Sequence, residues 1–178
     1  PRDQYRYGYR LWIDRDSGLL LRSALIDSEG TPIEQIMFTS LDVLDAVPAK
    51  LVKRQLKGKR YTWISDADND SGSLDKGWNL SWMPDGFQLT EQHKRQQSDS
   101  DRPMDHLVLS DGFTMISVFI EQAVEGRQAF TGPLKKGAVN AYSARVAGYK
   151  VTAVGEVPAQ TVRRIAQSVN HQTVAGTP

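Results

Sequence analysis

Tyr5, Tyr7, Tyr9, Leu11 and Ile13 occupy alternate positions near the start of the chain, with Arg6, Gly8, Arg10 and Trp12 between them. A period of two predicts a β-strand with one mostly apolar, aromatic face. Asp14-Arg15-Asp16-Ser17-Gly18 is rich in residues that accept turn geometry, and residues 19–26 read as the return strand. Asp27-Ser28-Glu29-Gly30 is a second turn, after which residues 32–40 read as a third strand. The pattern so far is an antiparallel meander. From Leu41 it changes: Val47-Pro48 and Lys50-Leu51-Val52-Lys53-Arg54-Gln55-Leu56 predict a short helical turn ended by Gly58. Residues 61–64 follow as one more short strand.

Ser65-Asp66-Ala67-Asp68-Asn69-Asp70-Ser71-Gly72-Ser73 has one alanine and no larger apolar residue, which is the composition of a loop or linker. The expected organisation is therefore a first module over residues 1–64, a linker over 65–77, and a second module over 78–178. In the second module Trp78, Leu80 and Trp82 alternate, and Pro84-Asp85-Gly86 turns into a strand over residues 87–92. Residues 93–103 are polar and read as a long hairpin loop. Strands over 104–109 and 113–121 flank Ser110-Asp111-Gly112, and strands over 138–146 and 149–157 flank Ala147-Gly148. Pro158 opens a helix in which Val162, Ile165, Ala166 and Val169 form one apolar face. The fold class is β-rich α+β: antiparallel strands closed by one C-terminal helix, with no internal repeat.

Composition narrows the function classes. Apolar residues make up 39% of the 178, enough to build a core. Twenty-two basic residues against 21 acidic ones leave a net charge of +1, which argues against dedicated nucleic-acid binding. The chain has no cysteine, so disulfides and thiolate metal sites are excluded. No run approaches the ~18 apolar residues a membrane helix needs. Pro1-Arg2-Asp3 lacks a methionine and leads directly into the strand pattern, so the chain reads as a fragment or processed product of something longer.

The candidate catalytic constellations each have a plainer explanation. Asp66, Asp68 and Asp70 imitate three ligand positions of a calcium loop, but Ser71 stands where the sharp turn needs glycine and Gly77 where a bidentate carboxylate is needed. His93, His106 and His171 have no metal-ligand spacing. Asp105, His106 and Ser110 are the residue types of a hydrolase triad without a nucleophile elbow, and adjacent Asp and His point to opposite faces of a strand. Gly126, Gly132 and Gly137 match no phosphate loop. These patterns call for no enzyme, metal or cofactor.

A basic run remains. Lys50, Lys53, Arg54, Lys57, Lys59 and Arg60 fall within eleven residues containing no acid. Such a run is either a solvated helix face or an anion site for lipid phosphates or an acidic peptide, to which Arg6, Arg10 and Arg22 could add. Trp12, Trp63, Trp78 and Trp82 should mostly be core, although a concave aromatic sheet face could also hold an acyl chain or a peptide.

Several longer segments carry a family likeness. Tyr7-Gly8-Tyr9-Arg10-Leu11-Trp12-Ile13-Asp14, Glu34-Gln35-Ile36-Met37-Phe38-Thr39, Leu109-Ser110-Asp111-Gly112-Phe113, Ser117-Val118-Phe119-Ile120-Glu121, Gly137-Ala138-Val139-Asn140-Ala141-Tyr142 and Gly155-Glu156-Val157-Pro158 resemble the RseB/MucB regulators of the sigma-E envelope stress pathway. The resemblance implies a periplasmic protein whose large N-terminal domain is a LolA-like curved sheet, followed by a smaller C-terminal domain; residues 1–64 would be the end of the former. It implies binding to the periplasmic domain of a membrane anti-sigma factor of the RseA/MucA type, protection of that partner from proteolysis, and release by lipopolysaccharide or lipid. A periplasmic lipid or lipoprotein carrier and a homo-oligomeric envelope subunit are the rival readings.

Overall fold

The computed structural model describes residues 1–53, 77–97, 100–123 and 131–171. The first module opens with β1 (Gly8–Ile13), β2 (Leu20–Ile26) and β3 (Pro32–Met37), paired antiparallel in the order β1-β2-β3. The β1–β2 turn is held by Asp14, whose carboxylate accepts from the Ser17 hydroxyl at 2.6 Å and the Ser17 amide at 2.9 Å. Those two donors hold the Asp14 carboxyl below its ordinary range, the hydroxyl being the larger cause. A single helical turn, α1 (Ala49–Val52), follows and buries none of its own residues.

The second module is a six-stranded antiparallel sheet with one helix on it. Its strands are β5 (Gln88–Gln97), β6 (Ser100–Ser110), β7 (Met115–Gln122), β8 (Gly132–Lys136), β9 (Val139–Val146) and β10 (Tyr149–Gly155), in the spatial order β5-β6-β7-β10-β9-β8. The helix is α2 (Ala159–Ser168). A separate two-stranded ribbon joins β4 (Trp78–Leu80) to β11 (Val169–His171).

Pairing of Leu107 with Val118, Leu109 with Ile116, and Ile120 with Val151 aligns the large apolar residues on one face. The face is closed by Val162, Ile165 and Ala166 of α2, and all nine of these residues are at most 1% exposed. At about 1.5–3 kcal/mol for each fully buried aliphatic side chain, this face dominates the stability of the module. Gly155 sits at the tight end of the same face. A Cβ there would lie 2.9 Å from the Met115 backbone oxygen and 3.4 Å from the Ile116 Cα, and backbone atoms cannot swing aside. Gly155→Ala is expected to force β7 and β10 apart locally and to destabilise the module by about 1–3 kcal/mol in urea unfolding. An unchanged midpoint would show that the pairing absorbs the methyl.

Several elements differ from the sequence pattern. The first strand begins at Gly8, because Tyr5 and Tyr7 leave the sheet to contact the second module. The face expected to be mostly apolar and aromatic carries Tyr9, Leu11 and Ile13 at 44, 46 and 59% exposure. Residues 93–103 are not a long loop: β5 runs to Gln97 and β6 starts at Ser100. A backbone ladder needs no apolar side chains, and β5 lies at the edge of the sheet, where polar residues are tolerated. β8 and β11 have no counterpart in the pattern, since one is exposed beyond its first residue and the other is three residues long. The expected strand over 61–64, the Asp66, Asp68 and Asp70 series and Gly126 lie outside the described residues, as does all of the 65–77 linker except Gly77.

Candidate functional site

Among the described residues the two modules share no strand pairing, and residues 3–7 form a strap from one to the other. Tyr5 contributes a backbone oxygen to the Thr161 hydroxyl at 2.8 Å, and Gln4 one to the Gln160 amide at 2.8 Å. The Tyr5 ring meets Trp82 edge-on at 4.9 Å, its hydroxyl accepts from Arg164, and the Arg164 guanidinium stacks over Trp82 at 4.0 Å. The Tyr7 hydroxyl accepts from Asn140 at 2.9 Å. Asn140 is 3% exposed and also donates to the Val157 carbonyl, so both of its N–H groups are used.

Arg6 is the most heavily engaged residue of the strap. Its guanidinium pairs with Asp111 at 2.5 Å and with Asp3 at 3.0 Å, donates to the Asp85 carbonyl, and lies over the Phe87 ring at 5.0 Å. Both acceptors from the second module sit in Asp-Gly turns. Gly86 and Gly112 have φ values of 84° and 91°, which glycine adopts without strain. Asp111 fixes its own turn by accepting from the Phe113 amide at 3.0 Å and the Thr114 amide at 2.8 Å, leaving its other oxygen for Arg6. A cleft of about 620 Å³ opens beside the strap, bounded by Asp27 and Ser28 of the β2–β3 turn and by Pro158 and Gln160 at the start of α2.

Of the residues expected in an anion site, Arg10 and Arg22 come together. Registers Arg10 to Ala24 and Trp12 to Arg22 place both arginines and Trp12 on one face of the first sheet. Arg22 stacks on Trp12 at 4.1 Å and donates to Gln35 at 2.5 Å. Arg6 is not available to that face, being clasped by Asp111. Lys50 and Lys53 are exposed on and just after α1, while Arg54, Lys57, Lys59 and Arg60 lie outside the described residues. The opposite face carries Tyr9 and Leu11 with Ser23, Leu25 and Ile36; Leu25 is buried, whereas Tyr9, Leu11 and Ile36 stay exposed.

Asp105, His106 and Ser110 do not assemble. Asp105 accepts from the buried Trp78 indole at 3.1 Å, His106 stacks on Phe119 at 4.5 Å on the other face, and the Ser110 hydroxyl accepts from the Gly112 amide. His171 belongs to β11 and meets Trp78 edge-on at 4.6 Å. Among the described residues no group of three His, Asp or Glu side chains could hold a metal ion, and no helix is long and apolar enough to cross a membrane. The strap itself was not legible in the sequence: its Asp-Gly turns are visible as turns, but nothing local pairs residue 6 with residue 111.

Comparison with known proteins covers the whole site. Residues 1–56 match the MucB/RseB N-terminal domain model and residues 73–170 the MucB/RseB C-terminal domain model. The sigma factor AlgU regulatory protein MucB of Pseudomonas aeruginosa is 34% identical over 98% of this chain and 55% of its own length. A solved structure of the Pseudomonas aeruginosa MucA/MucB complex matches with a TM-score of 0.79 at 30% identity, covering 98% of this chain and 58% of that one. A crystal structure of MucB matches with a TM-score of 0.62 at 29% identity, covering 97% and 55%. The chain thus spans little more than half the length of the relatives it matches.

Proposed function

Because the chain belongs to the MucB/RseB family, we propose that it acts as a periplasmic negative regulator of the envelope stress response. In this reading it binds the periplasmic domain of a membrane anti-sigma factor, shields it from regulated proteolysis, and loosens its hold when lipopolysaccharide or another lipid binds. The observation that carries the reading is the match, over 98% of the chain, to a MucB chain solved with MucA bound. The work is steric and needs no catalytic group. A segment laid across both modules is hidden from a protease, and its affinity depends on where the modules stand relative to each other. A lipid that prefers another placement weakens that affinity by linkage.

Arg10 and Arg22 beside Trp12, with Lys50 and Lys53, are the proposed contacts for lipid phosphate, and Arg54, Lys57, Lys59 and Arg60 extend the same basic sequence. A guanidinium presents several donors in a fixed fork that matches phosphate, and stacking on an indole holds Arg22 ready for it. A carrier of lipid or lipoprotein is the second reading, favoured by the open apolar face of Tyr9, Leu11 and Ile36.

Calorimetric titration with the anti-sigma periplasmic segment, with and without lipopolysaccharide fragments, separates the two. The regulator binds the segment, and lipid weakens that binding. Arg10→Ala combined with Arg22→Ala is expected to weaken lipid binding at least tenfold, since each hydrogen bond to a charged group contributes about 1.5–3 kcal/mol. Lipid binding with no affinity for the segment would leave the carrier reading standing instead.

A further inference from the structure

We propose that the strap is a releasable latch, in which Arg6 clasped between the two Asp-Gly turns holds the modules in the placement that binds the anti-sigma segment. This rests on the regulatory reading above and adds the element whose two states regulate it. Among the described residues, the hydrogen bonds and ion pairs joining the first module to the second run through residues 4–7. The two sheets have separate strand ladders, so the strap can lift without breaking either. Its contacts are a few hydrogen bonds, one ion pair and ring contacts rather than an interdigitated apolar core, although they are largely shielded from water: the Arg6 and Asp111 side chains retain only 19% and 9% of their accessible surface. A handful of such contacts is a gap that differential ligand binding can overcome, whereas a buried core is not.

The partner turns are built to receive the strap and not to follow it. Asp111 keeps one carboxylate oxygen on its own turn and offers the other to Arg6, so release of Arg6 leaves the turn intact. Thr161 is fully buried on α2, and its hydroxyl is aimed at the Tyr5 carbonyl.

The chain has no cysteine, so a pair of spin labels can be placed without background, on Glu29→Cys in the exposed β2–β3 turn and Lys136→Cys at the exposed end of β8. The unmodified latch is expected to give one narrow distance distribution. Arg6→Met and, separately, Asp111→Asn, which keeps the acceptor for Phe113 and Thr114, are each expected to broaden it. Each should also weaken binding of the anti-sigma segment about tenfold, as follows if the docked placement falls to about a tenth of the population. The double variant should lose little more than Arg6→Met alone, because Arg6→Met already removes the contact that Asp111→Asn weakens. Arg2→Met, an exposed neighbour on the same segment, should change neither readout. Unchanged distances in both single variants would overturn the latch, and broadened distances with undiminished affinity would overturn its coupling to binding. If the parent chain failed to bind the segment at all, the regulatory reading would fall on the calorimetry, and the distance distributions would still decide whether Arg6 holds the modules together.

Discussion

Ile165→Ala is expected to lower the unfolding free energy of the second module by about 3–4 kcal/mol, among the largest losses any single aliphatic truncation in this chain should produce. Ile165 has no exposed surface and sits at the centre of the apolar face of α2, with Val162 and Ala166 beside it and Val169 just beyond the helix end. Ile165 shares one buried cluster with Val151 and Ala153 of β10 and with Leu107, Val118 and Ile120 of the strands beyond it, all on sheet strands fixed by their ladders and unable to close a void. The transfer of three carbon atoms accounts for roughly half of the loss and the residual cavity for the rest. In urea the midpoint should fall with the slope unchanged, because the surface exposed on unfolding is nearly the same. A loss below about 1 kcal/mol would mean that α2 rests on the sheet without being clamped to it.

The same substitution reaches the strap. Gln160, Thr161 and Arg164 receive residues 4 and 5, and all three lie on the helix that Ile165 anchors. The sequence places α2 on the sheet through the spacing of Val162, Ile165, Ala166 and Val169, and that spacing is what the structure buries. The polar side of the same helix carries no comparable signal. A threonine, a glutamine and an arginine on the polar side of a helix are ordinary in a sequence, and their role appears only when a segment more than 150 residues away in the chain is laid beside them.

How far the fold was legible follows the same division. Strands with period-two alternation, such as β9 and β10 around Ala147-Gly148, are found where the pattern places them. Ala147 and Gly148 both take positive φ, 48° and 84°, as the tight hairpin requires. The polar continuation of β5 and β6 escapes because pattern reading equates polarity with loops, while backbone pairing is indifferent to it. The first module misleads for the opposite reason. Tyr9, Leu11 and Ile13 have the alternation of a buried face, yet among the described residues all three are only partly covered. The likeness to a LolA-like sheet came from family segments such as Leu109-Ser110-Asp111-Gly112-Phe113, and alternation alone would not have supplied it. That segment proved to hold the carboxylate that Arg6 finds. Of the basic residues singled out, Arg10 and Arg22 gather because the β1–β2 register places them on one face, a fact no count of charges contains.

Trp78 provides the other large effect, and two substitutions there separate packing from hydrogen bonding. The indole is 4% exposed, stands edge-on to Tyr149 at 4.8 Å and to His171 at 4.6 Å, and donates to Asp105 at 3.1 Å. It is also the first residue of β4, where the described chain enters the second module, and its backbone pairs with His171 of β11. Trp78→Ala removes the ring and leaves a void among residues held by three different strands, and it is expected to cost about 3–5 kcal/mol. Trp78→Phe keeps an aromatic ring in place but takes the N–H donor away from a carboxylate on a buried strand, for an expected loss of about 1–3 kcal/mol. The ordering of the two measured losses is the informative result. If Trp78→Phe is nearly as damaging as Trp78→Ala, the bond to Asp105 dominates, and the ribbon of β4 and β11 is held chiefly by that polar contact. If Trp78→Phe is close to neutral, the contribution of Trp78 is packing between Tyr149 and His171, and Asp105 is sufficiently served by its other surroundings on β6.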